Sequence, residues 1–374
     1  MASDLLKVLY DHQIFSLQKY GGISRYFAEL MVQYRSEKDI DFELACKYSD
    51  NQYLRDMLKL GLIKKSSDAK SKTRKYLYYA LNRLNSMSII KQGDYDVLHP
   101  TYYDPYFLKN LDGKPFVITV HDLTQDLFPQ YFKKPGRNTR MKRSVLEKAE
   151  KVIAISNHTK RDIINYFNVP EEKITVIYHG NSLKSGKTIS GDLGIGLSEK
   201  RYVLFVGLRG GYKNFHTFVP AVSKVLKQDE TLEVICVGAG PFLKEEVDLM
   251  KAHGTENRFS QVSVNDEELI ELYSNALALV FPSLYEGFGM PILEAMDCGC
   301  PAILSNTSSM PEVGGNAAYY FDPEDVESIR ASIEKVIYDG ELRKKMILDG
   351  RNQAEKFSWE KTAKETLKIY QSLL

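Results

Sequence analysis

Short apolar runs alternate with longer amphipathic stretches along most of the chain. Runs rich in Val, Ile and Leu fall at 6–10, 96–99, 116–121, 152–156, 174–178, 202–207, 232–238, 276–282 and 302–305, each bounded by turn residues. Unbroken apolar runs of this length are the pattern of strands buried on both faces of a parallel sheet. Between them, 23–34, 137–149, 159–167, 214–227, 266–275 and 292–298 place apolar residues at helical spacing. A βαβα succession of this kind predicts an α/β chain of parallel sheets wrapped by helices. The alternation pauses at 183–200, a Gly/Ser-rich stretch of weak periodicity that reads as a linker. It separates two α/β halves, 1–182 and 201–356, with an amphipathic stretch at 357–374. Ligands of such sheets bind where strands end and helices begin, so the informative motifs are those that follow strands.

Composition narrows the class. Fifty Lys and Arg against 49 Asp and Glu leave a net charge of +1 in 374 residues, so no global field marks a nucleic-acid binder. Cys46, Cys236, Cys298 and Cys300 are too few for a disulfide framework and lack CxxC spacing for zinc. The N-terminal residues do not read as a signal peptide, and no apolar stretch nears the roughly 20 residues of a spanning helix. A cytoplasmic protein is expected. One segment, 64–91, is strongly basic and aromatic: Lys64, Lys65, Lys70, Lys72, Arg74, Lys75, Arg83 and Lys91 intersperse with Tyr76, Tyr78, Tyr79, Leu81 and Leu84. It is either a solvated charged face or a peripheral contact with the inner face of the plasma membrane.

The densest chemistry lies in the second half. Glu286-Gly-Phe-Gly-Met-Pro-Ile-Leu-Glu294 follows a strand and opens a helix, with Pro291 suited to the first helical position. Gly287 and Gly289, flanking Phe288 and preceding Met290, allow a tight bend and close approach of a ligand. Helical side chains lean toward the N-terminus, so Glu286 and Glu294 can face one cleft beside the exposed amides of the helix start. A carboxylate pair next to an anion site suits a sugar attached to a diphosphate. Val206-Gly-Leu-Arg-Gly-Gly-Tyr-Lys-Asn214 also joins strand to helix, placing Arg209 and Lys213 where cations hold a diphosphate and stabilise its departure. Val237-Gly-Ala-Gly-Pro-Phe-Leu243 begins like a dinucleotide fingerprint but has Leu243 at the third glycine position, and reads as a strand-to-helix turn.

In the first half, Gly21 and Gly22 precede a helix and either expose amides to a phosphate or form a flexible turn. Arg25 follows in the first turn, facing the cleft or a surface partner. His121-Asp122 closes a strand, where open sheets place chemistry. His99 and Tyr102 also follow a strand and are candidates to line an acceptor pocket. Ser156 is an N-cap candidate near the same strand ends. Asp94-Tyr-Asp96 mimics an Asp-x-Asp metal motif but precedes its strand, at the wrong end of the sheet, so no metal is assigned.

Taken together, Glu-x7-Glu, the Arg/Lys glycine turn and the stretch 305–322 resemble the retaining glycosyltransferases of family 4. Matching pieces run from residue 20 to residue 359. The resemblance implies the GT-B fold: two doubly wound Rossmann-like domains facing each other across a cleft, acceptor in the first and nucleotide-sugar in the second. It implies that Arg209 and Lys213 neutralise the donor diphosphate, that Glu286 contacts sugar hydroxyls and Glu294 the ribose hydroxyls. By the same resemblance Gly21 and Gly22 lie near the donor and His121 near the reacting sugar, with Asp122 orienting it or touching the acceptor. Arg25, His99, Tyr102 and Ser156 are then acceptor-side candidates. Phe357-Ser-Trp-Glu360 leads a final helix back to the first domain. The family implies independence of metal and of any cofactor.

The expected reaction is transfer of a hexose from a nucleotide-diphosphate sugar to a hydroxyl of a glycan or lipid-linked glycan, with configuration retained. Segments such as Gly-Gly-Ile-Ser-Arg-Tyr and Gly-Tyr-Lys-Asn also occur in bacterial polysaccharide and O-antigen mannosyl- and rhamnosyltransferases, which favours GDP-mannose or a related GDP-hexose. Two alternatives stay open: a nucleotide-sugar 2-epimerase of the same fold, and an inactive nucleotide-sugar-binding subunit.

Overall fold

A computed structural model describes residues 5–59, 61, 67–68, 75–132, 136–183 and 200–374. The chain forms two compact units, Met1–Gly180 with Trp359–Leu374, and Asn181–Ser358. Of the linker expected at 183–200, residues 184–199 lie outside the described residues, as do Lys64, Lys65, Lys70, Lys72 and Arg74 of the basic segment.

Among the described residues the first unit carries eight strands: β1 (Leu6–Tyr10), β2 (Ile40–Leu44), β3 (Tyr48–Ser49), β4 (Ser67–Asp68), β5 (Val97–His99), β6 (Val117–Val120), β7 (Lys151–Ala154) and β8 (Ile174–Val176). β2-β1-β5 and β6-β7-β8 are parallel sheets, and a parallel bridge from Leu98 to Phe116 joins their neighbouring edges; β3 and β4 pair separately. β2 was not expected. Its sequence, Ile-Asp-Phe-Glu-Leu, alternates apolar and acidic residues because it is an edge strand, with Asp41 and Glu43 exposed.

Helix Gly22–Tyr34 buries Phe27, Leu30, Met31 and Tyr34, a stripe at i, i+3, i+4 and i+7. These pack with Val8, Tyr10, Val97, Val117 and Ile153 of the sheet, and with Trp359, Ala363 and Tyr370 of helix Trp359–Gln371. The last helix is also tied by polar contacts: the Tyr34 hydroxyl donates to the Ala363 carbonyl at 3.0 Å, and Thr362 Oγ1 to the Tyr178 carbonyl at 2.7 Å. Burying an aromatic side chain of this kind stabilises by about 1.5–3 kcal/mol.

The described residues of the second unit form a six-stranded parallel sheet: β9 (Arg201–Val206), β10 (Leu232–Val237), β11 (Phe259–Val262), β12 (Ala278–Phe281), β13 (Ala302–Ser305) and β14 (Tyr319–Phe321), in the order β11-β10-β9-β12-β13-β14. β11 and β14 escaped the pattern, being short and only partly buried outer strands with Ser260 and Gln261 or tyrosines on them. The strand order reverses direction between β9 and β12. Loops 207–214 and 282–289 leave the C-terminal ends of those two strands, at the switch point where ligands of open parallel sheets bind.

Candidate active site

The loop after β9 turns on Gly207, whose φ of +126° suits glycine, and ends on Asn214, itself left-handed at +62°. Asn214 Nδ2 donates to the carbonyls of Pro282, at 3.0 Å, and Pro323, at 2.7 Å. Leu284 N donates to the Tyr212 carbonyl at 2.8 Å. The two loops at the switch point are therefore one braced structure. Across it, Lys213 Nζ lies 2.6 Å from Glu286 Oε1, both side chains being mostly buried. The ammonium also sits 5.4 Å from the ring centroids of Tyr212 and Phe281. An ammonium and a carboxylate set together at the end of a parallel sheet form a ready contact for an anionic, hydroxyl-bearing ligand.

Glu286 is gripped through its own backbone. Its N–H donates to Ser308 Oγ at 3.1 Å, and that hydroxyl donates back to the Glu286 carbonyl at 2.6 Å. Ser309 Oγ lies within 2.9 Å of the Glu286 carbonyl and 3.1 Å of the Phe288 carbonyl, while Thr307 Oγ1 donates to Leu284 O at 3.1 Å. Ser308 holds this position at φ +57°, an uncommon conformation for a residue with a Cβ. Gly289 caps helix Met290–Asp297 at φ +95°; a Cβ there would stand 2.8 Å from Ile292 Cδ1. Pro291 occupies the first turn as expected. Glu294 is buried in the next turn, where Tyr273 Oη donates to its Oε2 at 3.3 Å.

Arg209 takes a different place from the expected one. Its guanidinium is 1% exposed and all three nitrogens donate inward: Nε to both oxygens of Glu246 (3.0 and 3.1 Å), one terminal nitrogen to Gly238 O, the other to Gly240 O and Pro241 O. Phe242 stacks against it with 4.6 Å from Cζ to the ring centroid. A buried guanidinium needs its donors satisfied, and this shell engages four of the five with protein acceptors. The fingerprint-like Gly238-Ala239-Gly240 explains itself here: three successive positive φ values (+91°, +59°, +70°) turn its carbonyls onto Arg209.

In the first unit, His121 follows β6 and is almost fully buried, its ring 5.0 Å from Tyr26 and 5.6 Å from His179. Neither ring nitrogen has a hydrogen-bond partner among the described residues. Burial, with His179, His99 and Lys142 nearby, holds its pKa well below 6.5, so the ring is neutral at neutral pH. Asp122, half-buried, accepts from Thr124 N at 3.0 Å. Tyr102 is half-buried and receives Asn138 Nδ2 at 3.4 Å; burial, then the Asp122 charge, pushes its phenol up to about 12. Gln18 Oε1 accepts from Ser24 N at 3.2 Å and fills the space behind Gly21, where a Cβ would meet it at 2.7 Å; Gly22 begins the helix. Arg25 faces Glu29 at 4.0 Å and the Tyr53 ring at 5.9 Å.

Two acceptor-side candidates are corrected. His99 is fully buried, with Nδ1 2.6 Å from Tyr370 Oη and Nε2 2.9 Å from Thr119 Oγ1, and burial lowers its pKa to about 3. Ser156 caps helix Asn157–Phe167, accepting from Thr159 N at 3.0 Å, and is itself fully buried. Both are spent on holding the fold. Asp94 and Asp96 bind Lys7, through its Nζ and its backbone N–H respectively.

Comparison with known proteins shows the family. The model for glycosyltransferase family 4 matches residues 20–184 and the model for glycosyl transferases group 1 matches 195–353. The chain is 31% identical over 292 residues to O-antigen chain mannosyltransferase B of Escherichia coli, covering 75% of each. This chain belongs to glycosyltransferase family 4.

An O-antigen chain mannosyltransferase of Salmonella typhimurium is 27% identical over 333 residues, 86% of this chain and 90% of that one. Among solved structures, Anabaena HepE in complex with UDP and glucose superposes with a TM-score of 0.77 at 19% identity, covering 99% of this chain and 100% of that chain. A sucrose-phosphate synthase from Thermosynechococcus elongatus gives 0.75 at 17%, covering 99% of each chain. The glycosyltransferase thus has the GT-B type of fold, with a Rossmann-like sheet in each unit. Among its described residues no helix is long and apolar enough to cross a membrane.

Several residues that hold these loops of the glycosyltransferase leave little signal in the sequence. Ser308 and Ser309 lie in the stretch 305–322 that resembles the family, and their serine-rich composition alone is equally that of an exposed turn. Glu246 and Tyr273 act from distant segments, whereas Asn214 ends the loop itself. Asn214 gave the one local clue, since a non-glycine at a strand-to-helix turn tolerates left-handed backbone best as asparagine.

Proposed function

We propose that this glycosyltransferase moves a mannosyl residue, or a related hexose, from its GDP derivative to a hydroxyl of a glycan or lipid-linked glycan in O-antigen-type polysaccharide synthesis, retaining anomeric configuration. The observation that carries the site assignment is the Lys213–Glu286 pair at the strand-order reversal, with Glu294 in the adjoining helix. The mannosyl assignment is supported by the names of the O-antigen relatives.

Breaking the bond between the anomeric carbon and phosphate oxygen builds negative charge on the diphosphate and oxocarbenium character on the sugar. Lys213 is fixed before the reaction and stabilises that charge, so no metal ion is required in this scheme. Gly287, Phe288, Gly289 and Met290 supply the bend that brings backbone close to the donor. Glu286 takes sugar hydroxyls and Glu294 the ribose diol. The departing phosphate accepts the acceptor's proton. The first unit receives the acceptor through Arg25, Tyr102 and Asp122, with His121 as a neutral hydrogen-bonding group. Helix Lys75–Gln92, which contains no acidic residue, exposes Tyr76, Leu77, Leu81 and Leu84; we assign it to an anionic membrane surface that presents a lipid-linked acceptor.

Calorimetry with GDP, UDP, ADP and dTDP, then with their sugars, tests the donor. Transfer from GDP-mannose in EDTA, giving a product whose anomeric carbon keeps the donor's configuration by NMR, supports the scheme. A rearranged sugar released without acceptor makes the protein an epimerase. Binding of a nucleotide without turnover over a broad acceptor panel makes it a sensor. Absence of any nucleotide binding refutes the site.

A further inference from the structure

Helix Asp266–Asn275 lies behind the helix that carries Glu294. Its start is fixed by a reciprocal cap: Asn265 Oδ1 accepts from Glu268 N at 3.0 Å, and Glu268 Oε2 accepts from Asn265 N at 2.8 Å. Its last turn is pinned to the sheet, because the Tyr202 hydroxyl on β9 donates to Leu272 O at 2.9 Å. The next residue, Tyr273, is fully buried, and its phenol donates to Glu294 Oε2. A carboxylate that must hold two adjacent hydroxyls needs a fixed plane, and one oxygen anchored from behind fixes it. Burial, with Glu294 beside it, raises the phenol's pKa well above 10, so the group remains a donor at every working pH.

We propose that Tyr273 is a positioning residue for nucleotide recognition: its hydroxyl orients the Glu294 carboxylate toward the ribose diol and so sets the preference for ribonucleotides over their deoxy counterparts. The inference rests on the reading of Glu294 as the ribose contact. A side chain from outside the ligand's reach thereby becomes part of its specificity.

The test is calorimetric titration of GDP and 2′,3′-dideoxy-GDP, or the uridine pair if UDP binds more tightly, into the full chain. Wild type should prefer the ribonucleotide. Tyr273→Phe keeps the ring and should reduce that preference about three- to tenfold, the worth of one hydrogen bond, leaving dideoxynucleotide affinity unchanged. The ratio of the two affinities does not move with a general loss of stability. Glu294→Gln should also lower it, and the double variant should lower it little further. Wild-type indifference to the ribose hydroxyls would overturn the reading of Glu294, and the inference with it. Wild-type discrimination that survives intact in Tyr273→Phe, or independent additive losses in the double variant, would overturn the role of Tyr273 alone.

Discussion

Glu246→Leu offers the sharpest probe of the second unit. The substitution removes the carboxylate that both contacts of Arg209 Nε depend on, in a place where the two side chains are 1% and 9% exposed. Three carbonyls remain, but a buried guanidinium left without its counter-charge costs about 3–5 kcal/mol. A unit of this size loses about 2–4 °C of melting temperature per kcal/mol, so its calorimetric transition should fall by about 6–20 °C. Arg209→Met combined with Glu246→Leu removes both charges and keeps apolar volume, and should recover most of that loss, since desolvating the pair opposes its attraction. Differential scanning calorimetry of the single and double variants measures both effects. The reasoning fails if Glu246→Leu melts within about 1 °C of wild type, or if the double variant is no better than the single. The double variant also bears on chemistry: nucleotide affinity should stay within about threefold, because Arg209 is assigned no phosphate. A hundredfold loss would return Arg209 to the diphosphate.

Other outcomes follow from the same geometry. Lys213→Ala should lower transfer about 10²–10³-fold, the usual cost of one preorganised charge donor, measured by release of nucleoside diphosphate. Ser308→Gly relaxes the backbone at φ +57° while deleting the hydroxyl that clasps Glu286; turnover should drop about ten- to a hundredfold with the melting temperature nearly unchanged. His99 and His179, each lowered by burial to about 3, stay neutral when folded, whereas unfolded histidines protonate near 6.5. The unfolded chain therefore binds more protons between pH 6.5 and 3, and stability should fall across that window by about 1.4 kcal/mol per pH unit for each histidine; urea melts at pH 7, 6 and 5 should show a shallower slope in His99→Gln. Leu81→Glu with Leu84→Glu should abolish co-sedimentation with vesicles containing anionic lipid, and unchanged binding would remove helix Lys75–Gln92 from the membrane contact.

Sequence reading reached the central strands and the second-unit loops because those signals are local. A buried parallel strand such as Leu-Val-Phe before Pro282 is apolar without interruption, and Gly289 with Pro291 marks a helix start by its own chemistry. Outer strands were lost where one edge meets solvent, as with β2 and β11. The fate of polar side chains was lost more completely. Arg209 looks like a phosphate ligand in its own loop, yet Glu246 lies 37 residues away and decides where the guanidinium points. His99 reads as a pocket residue until Tyr370, 271 residues later, takes its ring nitrogen. Spacing along a chain reports which backbone a residue occupies. It does not report which distant group will claim its hydrogen bonds.

The first unit draws its last helix, Trp359–Gln371, from the far side of the second in chain order. As the polypeptide emerges from the ribosome, Tyr10, Tyr34 and His99 must wait for Tyr370, while the intervening 178-residue unit, Asn181–Ser358, is already available in full. Translation therefore delivers the later-encoded unit ready to fold and leaves the earlier one with an open apolar seam. A stop codon just before Trp359 would spare every side chain assigned to the nucleotide and still yield a chain prone to aggregate.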